Sequence, residues 1–257
     1  MKASEIACYV ESLSPEPGPE EGFCYGDRQQ QVTGVLVAWM GTVEAIEEAV
    51  QQGCNMMIVH EDLFFPYDLR HTGPRKHLTW RPNRRRLEAL AAHSLVVYRA
   101  HGMLDRFCIL DDFAELLGLG EPTVSEGYVR IYELAHAVTV EKMVERVKER
   151  TGLDQARVTG DPKVRVKRVG LPWGGLGLSI NVAFIESLLE HNPDLLIAGE
   201  TDDYAMRFVL DAGVSMIETT HSVSEDPGLH TFAAQLKADF PGLQVVYFDV
   251  GVPWQYL

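Results

Sequence analysis

No apolar run among the 257 residues approaches the ~18 needed to span a bilayer, and the opening stretch MKASEIACYVESLSPEPGPEEG has no apolar signal core. Neither a membrane protein nor an exported one is expected, and the expected location is the cytoplasm. Basic residues are scarce, 23 Lys and Arg against 37 Asp and Glu. The resulting net charge of -14 repels polyanions at long range and disfavours non-specific nucleic-acid binding. The four cysteines, Cys8, Cys24, Cys54 and Cys108, form no C-x-x-C pair, which excludes a zinc knuckle or a redox motif and suits reduced, mostly buried thiols. A P-loop, a full dinucleotide glycine fingerprint and a nucleophilic Ser or Cys motif are missing as well. At 46% hydrophobic and 23% charged residues, the chain still has the make-up of a folded protein with a sizeable core.

The apolar pattern alternates between two periods. Strand-like runs at residues 32–39, 56–59 and 95–100 are separated by helix-like segments at 42–51 and 83–93, and a further helix at 107–117 is stopped by Gly118 and Gly120. This alternation predicts an α/β fold with a mostly parallel sheet covered by helices. Residues 120–127 mark a boundary. A second, smaller α/β unit follows, with strands at 128–134, near Arg157 and at 164–170 and a helix at 140–149. The last third reads as strands at 195–198, 215–219 and 244–250 and helices at 203–212 and 232–240. The expected lobes are therefore 1–122, completed by about 200–257, and 123–199.

Three of these strands run into a histidine at their C-terminal ends, His60, His101 and His221. That end of an open α/β sheet is its ligand-binding edge, so imidazoles far apart in sequence can converge there. Each is accompanied by an acid: Glu61 directly follows His60, Asp105 lies four after His101, and Glu225 four after His221. Imidazole and carboxylate without thiolate suit Zn, Mn or Fe, and six such groups exceed one tetrahedral site but satisfy two ions sharing bridging carboxylates. The plainer reading of any one strand-end histidine is a hydrogen-bonding residue.

The blocks VHEDLFF, HGMLD, GLPWGGLG, IAGE and THSVSED, in this order and spacing, resemble the Nif-three-like family of dinuclear-metal hexameric proteins, also labelled GTP cyclohydrolase I type 2-like. The resemblance runs from about Thr33 onward. It implies a two-lobed α/β-sandwich subunit, a toroidal homohexamer, and one or two divalent ions per subunit on His60, His101, Asp105, His221 and Glu225. Glu61 stands where the family has the second histidine of a His-His pair; it can still ligate, but it adds a negative charge and makes the site harder. Glu200 matches the acid of the family's T-G-E block, which implies either a carboxylate beside the ligands or a helix N-terminal acid.

Two features stand outside the ligand blocks. The turn Gly174-Gly175-Leu176-Gly177 precedes a helix-like segment, an anion-binding placement, although a tight structural turn is the stronger reading. Residues 70–86 hold seven basic residues, Arg70, Arg75, Lys76, Arg81, Arg84, Arg85 and Arg86, with His71, His77 and Trp80 and no acid. They read as a phosphate clamp for a small anionic substrate, or as a solvated loop or subunit contact. The expected function is a di-metal-dependent hydrolase acting on a small phosphorylated or nucleotide-like substrate through a metal-activated water, with Glu61 or Glu200 as general base. The alternative is a non-catalytic hexameric adaptor or metal-handling protein.

Overall fold

The computed structural model describes residues 1–14, 18–67 and 76–255. In chain order the first elements are α1 (Ala3–Ser12), β1 (Gly22–Tyr25), β2 (Gly34–Ala38), α2 (Val43–Gln51), β3 (Met56–Val59), α3 (Arg81–Ala92), β4 (Val96–Arg99) and α4 (Gly102–Leu104). A π-helical stretch (Asp105–Ile109) then leads into α5 (Leu110–Leu116). They are followed by β5 (Pro122–Glu126), β6 (Val129–Thr139), α6 (Val140–Thr151), β7 (Arg157–Thr159), β8 (Arg165–Gly170), α7 (Val182–Leu189) and β9 (Leu195–Ala198). The chain continues through α8 (Asp203–Asp211), β10 (Ser215–Glu218), α9 (His221–Asp239) and β11 (Gln244–Phe248). Among the described residues no helix is long and apolar enough to cross a membrane.

The chain divides into two units, one made of Met1–Ile109 with Gly228–Val250, the other of Leu110–Pro227 with the residues from Gly251 onward. The lobes expected from sequence put their divisions instead after residues 122 and 199.

In the first unit the sheet order is β1-β4-β3-β2-β11, parallel throughout except for the edge strand β1. Every residue of β2, β3 and β4 is buried, which explains their unbroken apolar runs: strands covered on both faces have no reason to alternate. Leu36, Met57 and Val97 meet Ile46, Ala49 and Leu90 from α2 and α3 in one core. Thr42 starts α2 at the expected position, its side chain accepting the Ala45 amide at 3.1 Å.

The second unit carries the order β5-β6-β8-β9-β10-β7. Here only β8/β9 and β9/β10 are parallel, so this sheet is mixed. Residues 120–127, read from sequence as a boundary, instead hold β5, which pairs with β6 as a hairpin turning at Gly127, φ +54°. Helices α7 and α8 bury Ile185, Leu188, Ala205 and Val209 against Ile131, Leu196 and Met216. Cys54 and Cys108 are buried as expected, whereas Cys24 is half-buried and Cys8 exposed.

Candidate metal centre

In the first unit, β2, β3 and β4 are parallel and in register, Ala38 opposite Val59 and Val59 opposite Arg99, so the chain leaves β3 and β4 at one edge. His60 follows β3 directly and His101 lies two beyond β4. Their rings stack with centroids 4.6 Å apart. His60 is fully buried, and its Nδ1 lies 3.1 Å from the carbonyl oxygen of Ala100. A carbonyl only accepts, so Nδ1 donates to it, and Nε2 is the ring nitrogen that faces Asp105 Oδ1 at 3.7 Å. Asp105 begins the π-helical stretch one turn after His101. Ligand atoms of His60, His101 and Asp105 lie within 4.8 Å of one another.

His101 takes its place between carboxylates. Its Nδ1 is 3.8 Å from Glu20 Oε1, and its Nε2 is 3.8 Å from Glu61 Oε1 and 3.1 Å from the Tyr67 hydroxyl. Burial disfavours its charged form, but the neighbouring carboxylates of Glu20, Glu61 and Asp105 outweigh burial and push the imidazole up to about 10. His101 in turn holds Glu20 below the usual carboxylate range. Glu61 is buried, and its second oxygen, Oε2, faces Arg99 Nη2 at 3.8 Å.

In the second unit, β9 and β10 are parallel and again end side by side. Glu200 lies two residues past β9, and His221 opens α9 three residues past β10. Between them Thr220 adopts φ +102°, rare for a β-branched residue, with its amide bonded to the Gly199 carbonyl at 2.8 Å. His221 Nδ1 is 3.0 Å from Glu200 Oε2, and Nε2 is 3.3 Å from Glu225 Oε1 one helical turn on. The glycine turn is built around this pair. A Cβ on Gly174 would overlap Glu225 Oε1, and one on Gly175 would come within 3.1 Å of His221 Cε1. The Gly174 amide also donates to Ser224 Oγ at 2.9 Å. Its glycines are small because His221 and Glu225 occupy the adjoining space.

The expectation that all three histidines share one sheet edge is corrected: His60 and His101 stand at the edge of the first sheet, His221 at that of the second. Sequence reading also passed over Glu20, Asp62, Tyr67 and Arg99. Only Arg99 left a signal, as a lone charge closing the apolar strand VVYR two residues before His101. Of the basic segment, Arg70, His71 and Arg75 lie outside the described residues. Lys76, Arg81, Arg84 and Arg85 are exposed, and Arg84 pairs with Glu88 at 3.6 Å along α3. Arg86 is not a clamp residue: it is buried, donates to the Leu63 carbonyl at 2.7 Å, and covers the Phe65 ring.

The model of the Duf34/NIF3 (NGG1p interacting factor 3) family matches residues 1–251. The chain belongs to the Duf34/NIF3 family. One Duf34/NIF3 relative, a GTP cyclohydrolase 1 type 2 homolog from Clostridium perfringens, is 25% identical over 251 residues, 92% of each chain. A protein of the same description from Streptomyces coelicolor is 27% identical over 261 residues, covering 91% of this chain and 85% of its own. The crystal structure of a Bacillus cereus protein related to NIF3 aligns with TM-score 0.83 and 16% identity, covering 100% of this chain and 99% of that one. Reduced HcgD from Methanocaldococcus jannaschii aligns with TM-score 0.74 and 20% identity over 96% and 97% of the two chains. These two structures establish the Duf34/NIF3 fold. The donor set of the chain itself, two imidazoles and a carboxylate with mutually close ligand atoms, is one that could hold a metal ion.

Proposed function

We propose that this Duf34/NIF3 protein is a metal-dependent hydrolase acting on a small phosphorylated or nucleotide-like substrate. The observation that carries the reading is the grouping of His60, His101 and Asp105, whose ligand atoms lie within 4.8 Å of one another, with His60 Nε2 turned toward the Asp105 carboxylate. In this reading Glu61, His221 and Glu225 complete the ligand set, as the resemblance implies. A bound divalent ion, Zn, Mn or Fe, supplies Lewis acidity and lowers the pKa of water. The protein's own groups do the rest. Ala100 and Glu200 fix the proton of His60 and His221 on Nδ1, so that both rings offer Nε2 in a set orientation. Glu200, with its side chain 48% exposed, is the acid open to solvent, and it serves as proton acceptor; buried Glu61 takes that role only where it does not ligate the ion.

The relatives described as GTP cyclohydrolase 1 type 2 homologs support a nucleotide-like substrate. Cytoplasmic location and a toroidal homohexamer belong to the same proposal, with exposed Arg84 and Arg85 either pairing with a neighbour's acids or facing the anionic substrate. Light scattering that reports a monomer at micromolar concentration rejects the assembly.

The central test is elemental analysis of the purified protein joined to a metal-dependent screen of phosphoesters and nucleotides. Asp105→Ala and His221→Ala are expected to stay folded and lose bound metal. Unchanged metal content in both overturns the site. Stripping the metal should also lower the melting temperature, because an ion bound at 100 times its Kd stabilises the fold by about 2.7 kcal/mol.

A further inference from the structure

Arg99, the last residue of β4, has no exposed surface, yet it ends among the groups that would hold a metal. All three of its nitrogens are engaged. Nε donates to the His60 carbonyl oxygen at 3.2 Å, Nη2 faces Glu61 Oε2 at 3.8 Å, and Nη1 faces Asp62 Oδ2 at 3.8 Å. The guanidinium carbon lies 5.1 Å from the centre of the Tyr67 ring, and the Tyr67 hydroxyl reaches His101. A guanidinium keeps its proton under all ordinary conditions, so the positive charge is permanent.

We propose that Arg99 stands in for a second metal ion: it takes up the Glu61 carboxylate, and each chain holds one divalent cation, at the site built on His60, His101 and Asp105. The proposal rests on the metal-binding reading above and goes beyond it by fixing the count. A carboxylate where the resemblance implies an imidazole adds a negative charge, which by itself would draw in more cation. Glu61 and Arg99 are both buried, so that charge is answered from inside the protein, with little screening by water. A dication bonded to Glu61 Oε2 would be driven against the guanidinium, and like charges repel strongly in a dry interior. Oε1 of Glu61, which faces His101 Nε2, is the oxygen left to approach the single ion. Asp62 keeps Arg99 anchored whatever Glu61 does.

The test counts ions by mass spectrometry of the manganese-loaded full-length protein, with electron paramagnetic resonance to separate isolated from coupled ions. Wild type is expected to bind one Mn2+ per chain with an isolated-ion spectrum. Glu61→His, which restores the imidazole pair but leaves Arg99 facing Asp62, is expected to stay at one. Glu61→His combined with Arg99→Ser is expected to gain a second ion with a spin-coupled signal. Two ions in wild type or in Glu61→His overturn the proposal, and one ion in the double variant overturns the role given to Arg99. Should the double variant not fold, the first two counts decide. A wild type that binds no ion overturns the metal-binding reading itself, an outcome distinct from a count of two.

Discussion

His101 is held by acids on both sides, and its proton therefore competes with any metal ion that would bind there. In the metal-free protein its pKa is raised from 6.5 to about 10, so the charged imidazole contributes stability that is fully present below about pH 6.5 and is lost as pH rises through 10. Metal-free protein should melt at progressively lower temperature across that window. A metal ion must displace the same proton, so its apparent affinity should climb up to about tenfold per pH unit below 10. Calorimetry in buffers of different ionisation enthalpy reads the release directly, and no proton release at pH 8 contradicts the assignment. Glu20→Gln removes the charge beside Nδ1; the His101 pKa should fall, seen by NMR titration, and the pH above which metal affinity stops climbing should fall with it. The histidines and their trailing acids could be read from sequence because each sits at a strand end or one helical turn on. Glu20 could not: nothing local links it to a histidine 81 residues later until β1 pairs with β4.

Among the elements, the turn Gly174–Leu176 bears most directly on the site. Gly174 has φ +53° and no room beside Glu225 Oε1, so Gly174→Ala should cost about 1–3 kcal/mol, from overpacking and backbone strain together. Gly175, with more space and no positive φ, should tolerate alanine better. Urea denaturation of the two variants checks the order, and equal losses would contradict it. The sequence showed the turn but not its purpose, because the space it leaves is filled from α9. That helix shows the opposite failure. The apolar pattern placed its start only at 232, yet the helix runs from His221. Pro227 forfeits one backbone bond, and Gly228 is required where a Cβ would collide with the Ile109 backbone. By contrast β2, β3, α2, β9 and β10 were legible almost to the residue, since wholly buried strands and a capped amphipathic helix write their environment into local composition. The hairpin β5/β6 was not, its strand of β5 being largely exposed and short of apolar residues.

At the scale of the molecule, the parallel expectation holds in one sheet and gives way to mixed pairing in the other, where β6 and β7 close the two sides with antiparallel partners. The first sheet is assembled from chain far apart in sequence: β11 pairs with β2 although more than 200 residues separate them. β2 is buried along its whole length, and β11 provides its covering neighbour. As the chain emerges from the ribosome, Leu110–Pro227, which carries every strand of the second sheet, therefore becomes available while the residues made before it still wait for Gly228–Val250. The second part of the protein to be synthesised should be the first to finish. Pulse proteolysis of chains stalled after Pro227 should find residues 110–227 protected and residues 1–109 cut. On the proposed metal-binding reading, ion uptake at His60 and His101, whose strands lie in the waiting sheet, would then be a late event in the life of each new chain, timed by the arrival of β11.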